Sequence, residues 1–139
     1  MQERYLGDSH DFLKYAILRG IATDVTQRIG LNWYLTSPKN VESSLNNHGE
    51  KRHHLSRPEW RKWDSELLVA LERYADPVDR NIAHFQQSGT LPAETVYFAE
   101  EVPTNRLQRR EWKQRSLNSF AETDVGSEPI KPLVVGGFH

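Results

Sequence analysis

Residues 7–19 read Gly-Asp-Ser-His-Asp-Phe-Leu-Lys-Tyr-Ala-Ile-Leu-Arg and predict the apolar helix around which the rest of the chain is organised. Asp8 is placed to cap this helix, and Asp11 follows at the spacing of a capping box, so the helix should begin near Ser9. The face expected to point inward comprises Leu13, Ala16, Ile17, Gly20 and Ile21. The apolar arc is widened by Phe12, Tyr15 and Leu18. Such a helix belongs inside a layered domain.

The start of this helix is also a candidate anion site. His10 and Lys14 lie one turn apart on one face, near amides and a helix dipole that favour negative charge. A bound carboxylate or phosphate is one interpretation. The other is that Lys14 pairs with Asp11, three residues before it, while His10 is solvated.

Composition limits the class of protein. The 139 residues contain no cysteine, which excludes disulfide scaffolds, thiolate metal sites and cysteine nucleophiles and favours a reducing cytoplasm. The length suits a single domain, and there is neither a secretory segment nor an apolar run long enough to span a membrane. We therefore expect a cytoplasmic protein with no membrane partner.

The net charge of −1 conceals two basic islands. Residues 48–63 carry five cationic and two acidic side chains, and residues 103–116 carry five cationic and one acidic side chain. The first island includes the candidate nucleic-acid-binding residues Arg52, Arg57, Arg61 and Lys62. Its Trp60 and Trp63 could stack on bases, or they could anchor a core on one helical turn.

The second island predicts a helix with a continuous cationic stripe. Its members, at i, i+3, i+4 and i+7, are Arg106, Arg109, Arg110 and Lys113. Like charges at this spacing repel each other. The stripe therefore suggests an anionic partner, either nucleic acid or the acidic segment 64–102 of the chain itself, with a solvated surface helix as the alternative.

The remaining elements alternate between strands and helices. A strand buried on both faces is predicted at 29–36, followed by a long loop over 39–58. Further elements are a helix from Asp64, capped by Asp64 or Ser65, with an apolar face of Leu67, Leu68, Leu71 and Tyr74, and a helix from Asp76-Pro77 to Gly89, capped by Asp76, with an inner face of Val78, Ile82 and Phe85. They are followed by a strand at 95–99 and a helix from about Asn105 to Phe120, and residues 133–135 could add a short strand. Residues 126–139 have the composition of a tail.

A histidine cluster in the loop suggests metal binding, but the pattern is weak. His48, His53 and His54 have no carboxylate at a known ligand spacing, and the surrounding cations would repel a metal ion. We expect a basic loop and no metal site.

Two segments carry a family resemblance. Residues 7–14 resemble the Gly-Asn-x-x-Asp-Val-Leu-Lys signature of the bacterial ribosomal-RNA adenine-N6 methyltransferases, which have a Rossmann-like fold and use S-adenosylmethionine. Residues 96–104 are similar to their second strand, which ends in Glu-x-x-Pro-Thr. The resemblance implies that Lys14 lies near the cofactor and that Glu100 binds its ribose hydroxyls. Residues 4–15 also resemble the Arg-Tyr-x-Gly-Asp-x-x-Asp-Phe-x-Lys-Tyr opening of an uncharacterised bacterial and phage family.

Two motifs of the methyltransferases are not found. Residues 36–40 read Thr-Ser-Pro-Lys-Asn in place of a glycine-rich cofactor turn, and only Asp124-Val125 stands where Asp-Pro-Pro-Phe or Asp-Pro-Pro-Tyr would face the target adenine. The catalytic residues are therefore unassigned, and the catalytic half of the fold is expected to be missing.

We predict a small, incomplete Rossmann-like α/β domain over residues 1–125, with two or three mostly parallel strands and flanking helices. The expected function is that of a methyltransferase-like domain lacking a complete active site, with S-adenosylmethionine as a possible cofactor. The alternatives are a non-enzymatic module that binds nucleic acid or a protein partner through the two basic islands, and a truncated remnant without activity. An uncovered sheet edge would also permit self-association.

Overall fold

The computed structural model describes residues 2–24, 28–37 and 51–122, which fall into two compact units. Residues 3–24 and 51–92 form one, here called the helical unit, and residues 28–37 and 93–122, together with Gln2, form the strand unit. The domain predicted over residues 1–125 draws on both units, and its extent stays a prediction. The predicted tail and the possible strand at 133–135 lie outside the described residues.

The helical unit contains four α-helices and four short 3₁₀ turns. The helices are α1 (Ser9–Asp24), α2 (His53–Ser56), α3 (Ser65–Glu72) and α4 (Ile82–Gln87), and the turns are Glu3–Tyr5, Pro58–Lys62, Arg73–Ala75 and Pro77–Asp79. Helix α1 packs against α2 and α3. The predicted loop over 39–58 therefore contains a helical turn, α2, in the part that the structure describes.

The inner face predicted for α1 is wrong. Its buried apolar residues are Phe12, Tyr15 and Leu18, whereas Leu13, Ile17 and Ile21 are exposed. The buried residues also recur at helical spacing, and they include two aromatic rings, which remove more apolar area from water than aliphatic side chains do. The Tyr15 ring packs 4.9 Å from that of Phe85 on α4.

Of the two predicted caps of α3, Asp64 and Ser65, the structure shows Asp64. The Asp64 side chain accepts a hydrogen bond from the Leu67 amide at 2.9 Å, and the leucines predicted to face inward, Leu67, Leu68 and Leu71, are buried.

The helix predicted from Asp76 to Gly89 is divided. Asp76 caps only the turn Pro77–Asp79, and the Asn81 side chain then caps α4 by accepting from the His84 amide at 2.9 Å. Asn81 is itself a strong N-cap residue, so it starts a second helix where one continuous helix was expected. Val78, predicted to face inward, is consequently 90% exposed.

The strand unit is built on a parallel pair of strands. Strand β1 (Ile29–Asn32) pairs with β2 (Thr95–Phe98) so that Ile29 lies opposite Thr95 and Asn32 opposite Phe98. Helix α5 (Arg106–Glu122) follows β2 and packs against it. Strand β1 is shorter than the predicted 29–36, although an isolated parallel bridge joins Leu35 to Glu101.

The contact between α5 and the sheet depends on a glycine. The buried residues of α5 are Trp112, Ser116 and Phe120. A Cβ atom at Gly30 of β1 would lie 3.0 Å from the Phe120 ring, closer than ordinary van der Waals contact. The absence of a side chain at Gly30 therefore lets α5 approach the strand closely.

The described residues thus form a small α/β structure with a two-stranded parallel sheet and helices, as predicted at that level. In the part of the chain that the structure describes, no helix combines the length and the apolar character that a membrane span requires.

Candidate functional site

The N-terminus of α1 is closed by groups of the chain itself. Asp8 Oδ1 accepts hydrogen bonds from the amides of His10 and Asp11, both at 2.9 Å, and the Ser9 amide donates to the Lys51 carbonyl at 2.6 Å. The predicted cap at Asp8 is therefore confirmed. Because these amides are satisfied internally, they are not available to an external anion.

Lys14 forms an ion pair with the buried Asp11, the second of the two interpretations of this helix start. Lys14 Nζ lies 2.6 Å from Asp11 Oδ1, and Asp11 Oδ2 accepts from the Gly7 amide at 3.0 Å. Burial raises the pKa of Asp11, while the charge of Lys14 and its hydrogen bond act in the opposite direction. The side chain expected near a cofactor thus has a structural partner.

A buried histidine joins α2 to the start of α1. His54 Nδ1 and the Ser9 hydroxyl form a hydrogen bond of 3.0 Å, and the ring stacks on Phe12 with 5.6 Å between centroids. Burial, and then the nearby charge of Arg52, lower the pKa of His54. The residue is therefore a neutral core histidine that links two helices.

Two cations of the first basic island are engaged in the structure. The Arg52 guanidinium donates to the carbonyls of Gly7 at 3.0 Å and Leu6 at 3.3 Å, which ties the segment before α2 to the segment before α1. Arg61 Nη2 donates to Glu72 at 3.4 Å on the exposed surface. Arg52 thus has a structural role, whereas the Arg61 pair is weak and solvated.

The other cations of this island are exposed. Arg57 and Lys62 form no ion pair with the described residues. The two tryptophans divide between the two predicted roles, because Trp60 packs edge-on against Phe12 at 5.4 Å whereas Trp63 is 73% exposed. One ring therefore belongs to the core, and the other is accessible.

In the strand unit, Glu100 follows β2 directly after Ala99 and is paired with Arg115 of α5. Glu100 Oε2 accepts from Arg115 Nε at 3.1 Å and from Nη2 at 2.8 Å. The hydrogen bond to Glu100 raises the pKa of Arg115, and the Glu100 carbonyl accepts from Trp112 Nε1 at 3.2 Å. The carboxylate expected to bind ribose hydroxyls therefore holds α5 against the end of β2.

The turn after β1 contains a feature that sequence reasoning missed. Tyr34 has a φ of 49°, a left-handed conformation that is rare for a bulky residue. The Asn32 side chain stabilises it, because Oδ1 accepts from the Tyr34 amide at 3.0 Å while Nδ2 donates to the Ser116 hydroxyl at 2.7 Å. The Tyr34 ring also packs edge-on against Trp112 at 5.0 Å. Side-chain contacts thus support a conformation that glycine usually supplies.

The cationic stripe of α5 is accessible throughout. Its four members, Arg106, Arg109, Arg110 and Lys113, are exposed. Arg109 Nε donates to the Pro103 carbonyl at 2.8 Å, a neutral acceptor that leaves the positive charge uncompensated. Among the residues described, no ion pair involves any of the four. The stripe is the largest set of unpaired cations in that part of the chain.

The predicted site residues are thus distributed over two units. Lys14 and the first basic island belong to the helical unit, and Glu100 and the cationic stripe belong to the strand unit. Within the described ranges, no three His, Asp or Glu side chains are grouped as metal ligands would be. His48 lies outside those ranges.

Comparison of the chain with protein-family models, with curated proteins and with solved structures gives no match.

Proposed function

We propose that this protein binds nucleic acid through the cationic stripe of α5. The observation that carries the proposal is the exposure of Arg106, Arg109, Arg110 and Lys113 on one helix with no acidic partner among the described residues. Neutralised phosphates release condensed counterions, which makes such a stripe favourable for nucleic-acid binding.

The electrostatics of α5 support an external partner. Pairs at i and i+4, such as Arg106 with Arg110, repel each other by about 0.2–0.5 kcal/mol in an isolated helix. Arg115 and Glu100 show that the same helix can hold a cation in an internal ion pair at 2.8 Å. Within the described ranges the stripe residues have no such compensation, and phosphate groups would supply it.

The test is the salt dependence of oligonucleotide binding, measured by fluorescence anisotropy. Contact of four cations with duplex phosphates gives a slope of log K against log salt of about −3.6, and each lost contact reduces the magnitude by about 0.9. We expect Arg110→Gln/Lys113→Gln to reduce it by about 1.8.

The matched control is Arg4→Gln/Arg73→Gln, which removes the same charge from exposed positions of the helical unit outside both basic islands. If both double variants weaken binding equally, net charge rather than the stripe is responsible. If the unmodified protein shows no salt-dependent binding to any nucleic acid, the proposed function is wrong.

The first basic island is tested separately by Arg57→Gln/Lys62→Gln. Both of these exposed cations precede the accessible Trp63 in the sequence. Their loss should weaken binding if the helical unit also contacts the nucleic acid. An unchanged affinity would restrict the interface to α5.

The second candidate function is that of a methyltransferase-like domain that binds S-adenosylmethionine. It is favoured by one observation, the parallel pairing of β1 and β2 with Glu100 just beyond the carboxyl end of β2. In parallel α/β sheets this end of the strands is where ligands bind. Glu100 would have to leave Arg115 to reach a ribose, and Lys14 would have to leave Asp11.

Calorimetric titration with S-adenosylmethionine tests this candidate. Arg115→Met should strengthen binding by freeing Glu100, and Glu100→Gln should weaken it. No heat at millimolar ligand with both the unmodified chain and Arg115→Met would reject the cofactor role.

A further inference from the structure

We propose that the first two turns of α5 enter the major groove of duplex DNA, an inference that rests on the proposed function and specifies its ligand. Groove entry depends on how α5 projects from the strand unit and not on its terminal amides. The Leu107 amide at the N-terminus donates to Asn105 Oδ1 at 2.8 Å, so it is already satisfied.

The N-terminal part of α5 is exposed around its whole circumference. The first six residues of the helix, 106–111, are all exposed, including Leu107 at 78%, and so are the two residues before it. A helix lying along a protein surface buries a residue every third or fourth position, as α5 does later at Trp112, Ser116 and Phe120. Residues 106–111, the greater part of the first two turns, therefore extend beyond the packed part of the helix.

The dimensions of this projecting part fit a major groove. An α-helix with its side chains is about 10–12 Å in diameter, and the major groove of B-DNA is about 12 Å wide. A stripe that only tracked a phosphate backbone would need one exposed side. Exposure on every side is what entry into a groove requires.

The other half of α5 is firmly held. Phe120 packs on Gly30, Ser116 accepts the 2.7 Å hydrogen bond from Asn32, and Arg115 pairs with Glu100. These contacts fix the orientation of the projecting turns before any ligand binds. A preorganised helix loses less conformational freedom on binding.

The side chains of the projecting part divide into two roles. Arg106 and Arg110, with Lys113 just beyond the projecting part, span seven residue steps, about 10.5 Å along the axis, and would contact phosphates along the rim of the groove. Gln108 lies on the other side of the helix, about 160° from Arg106 at 100° per residue. A glutamine there can read adenine through two hydrogen bonds in the major groove.

The experiment compares three ligands of the same sequence and length: duplex DNA, single-stranded DNA and duplex RNA. We expect duplex DNA to bind at least about tenfold more tightly than duplex RNA, because the deep, narrow major groove of A-form RNA does not admit an α-helix. Dimethyl sulfate footprinting should show that the protein protects guanine N7 atoms, which lie in the major groove.

Two variants distinguish the recognition of bases from the contact with phosphates. On sites selected from random duplexes, Gln108→Ala should reduce the preference over mismatched sites by roughly fivefold or more while leaving the salt slope unchanged. Arg110→Gln/Lys113→Gln should reduce the salt slope while leaving the preference over mismatched sites unchanged.

The outcomes distinguish this inference from the function on which it rests. Equal affinity for the three ligands without guanine N7 protection would overturn groove entry and leave nucleic-acid binding by α5 in place. Tighter binding to single-stranded DNA would also overturn it. Absence of binding to all three ligands would reject both proposals.

Discussion

The start of α1 and the first half of α5 use similar residues in opposite ways. At α1, Lys14 pairs with a buried acid at 2.6 Å, and Asp8 satisfies the helix amides. At α5, Arg110 and Lys113 are exposed and have no acidic partner among the described residues. The difference shows that a cation near a helix start is no evidence of a ligand site where the chain itself supplies the anion, as Asp11 does for Lys14.

The largest difference in the free energy of unfolding should come from replacing one apolar residue of each helix with alanine. Phe12 is fully buried against His54 and Trp60, so Phe12→Ala should lower the free energy of unfolding by about 3–5 kcal/mol. Leu107→Ala in α5 is the matched change at a 78% exposed site and should stay within about 0.5 kcal/mol. Urea unfolding monitored by circular dichroism measures both. A comparable loss in the two variants would contradict the exposure of the first turns of α5.

The two ion pairs provide the next comparison. Asp11→Ala leaves Lys14 without its partner and the Gly7 amide without an acceptor, and should cost about 3 kcal/mol. Glu100→Ala breaks the Arg115 pair, in which both side chains are about half exposed, and should cost at most about 1 kcal/mol. The measurement is again the free energy of unfolding. If Glu100→Ala cost as much as Asp11→Ala, the Arg115 pair would have to contribute far more than a solvated contact.

These contrasts also explain how far the sequence could be interpreted. Local signals located the elements well: Asp8 and Asp64 cap α1 and α3, and both predicted strands exist and pair in parallel. The wrong face of α1 has a physical reason, since nearly its whole circumference is apolar and periodicity alone does not choose between Leu13 and Phe12. Tertiary packing makes that choice.

The partners of the predicted site residues could be inferred only where they were close in sequence. The Lys14–Asp11 pair, three residues apart, was one of two interpretations. The partners of Glu100 and Asn32 lie 15 and 84 residues away, respectively, and no local pattern indicates them. The left-handed Tyr34 was missed because glycine, not tyrosine, is the usual residue in that conformation.

The stability of the helical unit should depend on pH through His54. Burial, and then the charge of Arg52, lower the pKa of the His54 imidazole in the folded protein. As the pH falls below about 6.5, the pKa of an ordinary histidine, the unfolded chain therefore gains this proton before the folded protein does. The unfolded state then binds more protons, so this contribution to stability is complete above that pH and decreases as the pH falls below it.

Urea unfolding of the full chain from pH 8 to pH 5 measures this dependence. His54→Gln should flatten the decrease below pH 6.5, while His53→Gln, which replaces an exposed neighbour, should leave it unchanged. An identical pH profile for His54→Gln and the unmodified protein would show that another group is responsible.

The smallest predicted effect is a gain in stability on the exposed side of α1. Gly20 lies in the interior of the helix, and a Cβ atom placed there meets nothing within 4 Å. Glycine is less favourable than alanine in a helix interior because it loses more backbone freedom on folding, so Gly20→Ala should raise the free energy of unfolding by about 0.5–1 kcal/mol.

Gly89→Ala is the control, since its site is equally open but has a φ of 70°, where a Cβ atom introduces strain. Thermal unfolding should therefore give a higher midpoint for Gly20→Ala and no increase for Gly89→Ala. A loss of stability in Gly20→Ala would mean that this side of α1 is covered, so that the contrast with the accessible first turns of α5 would apply only to the ends of the two helices.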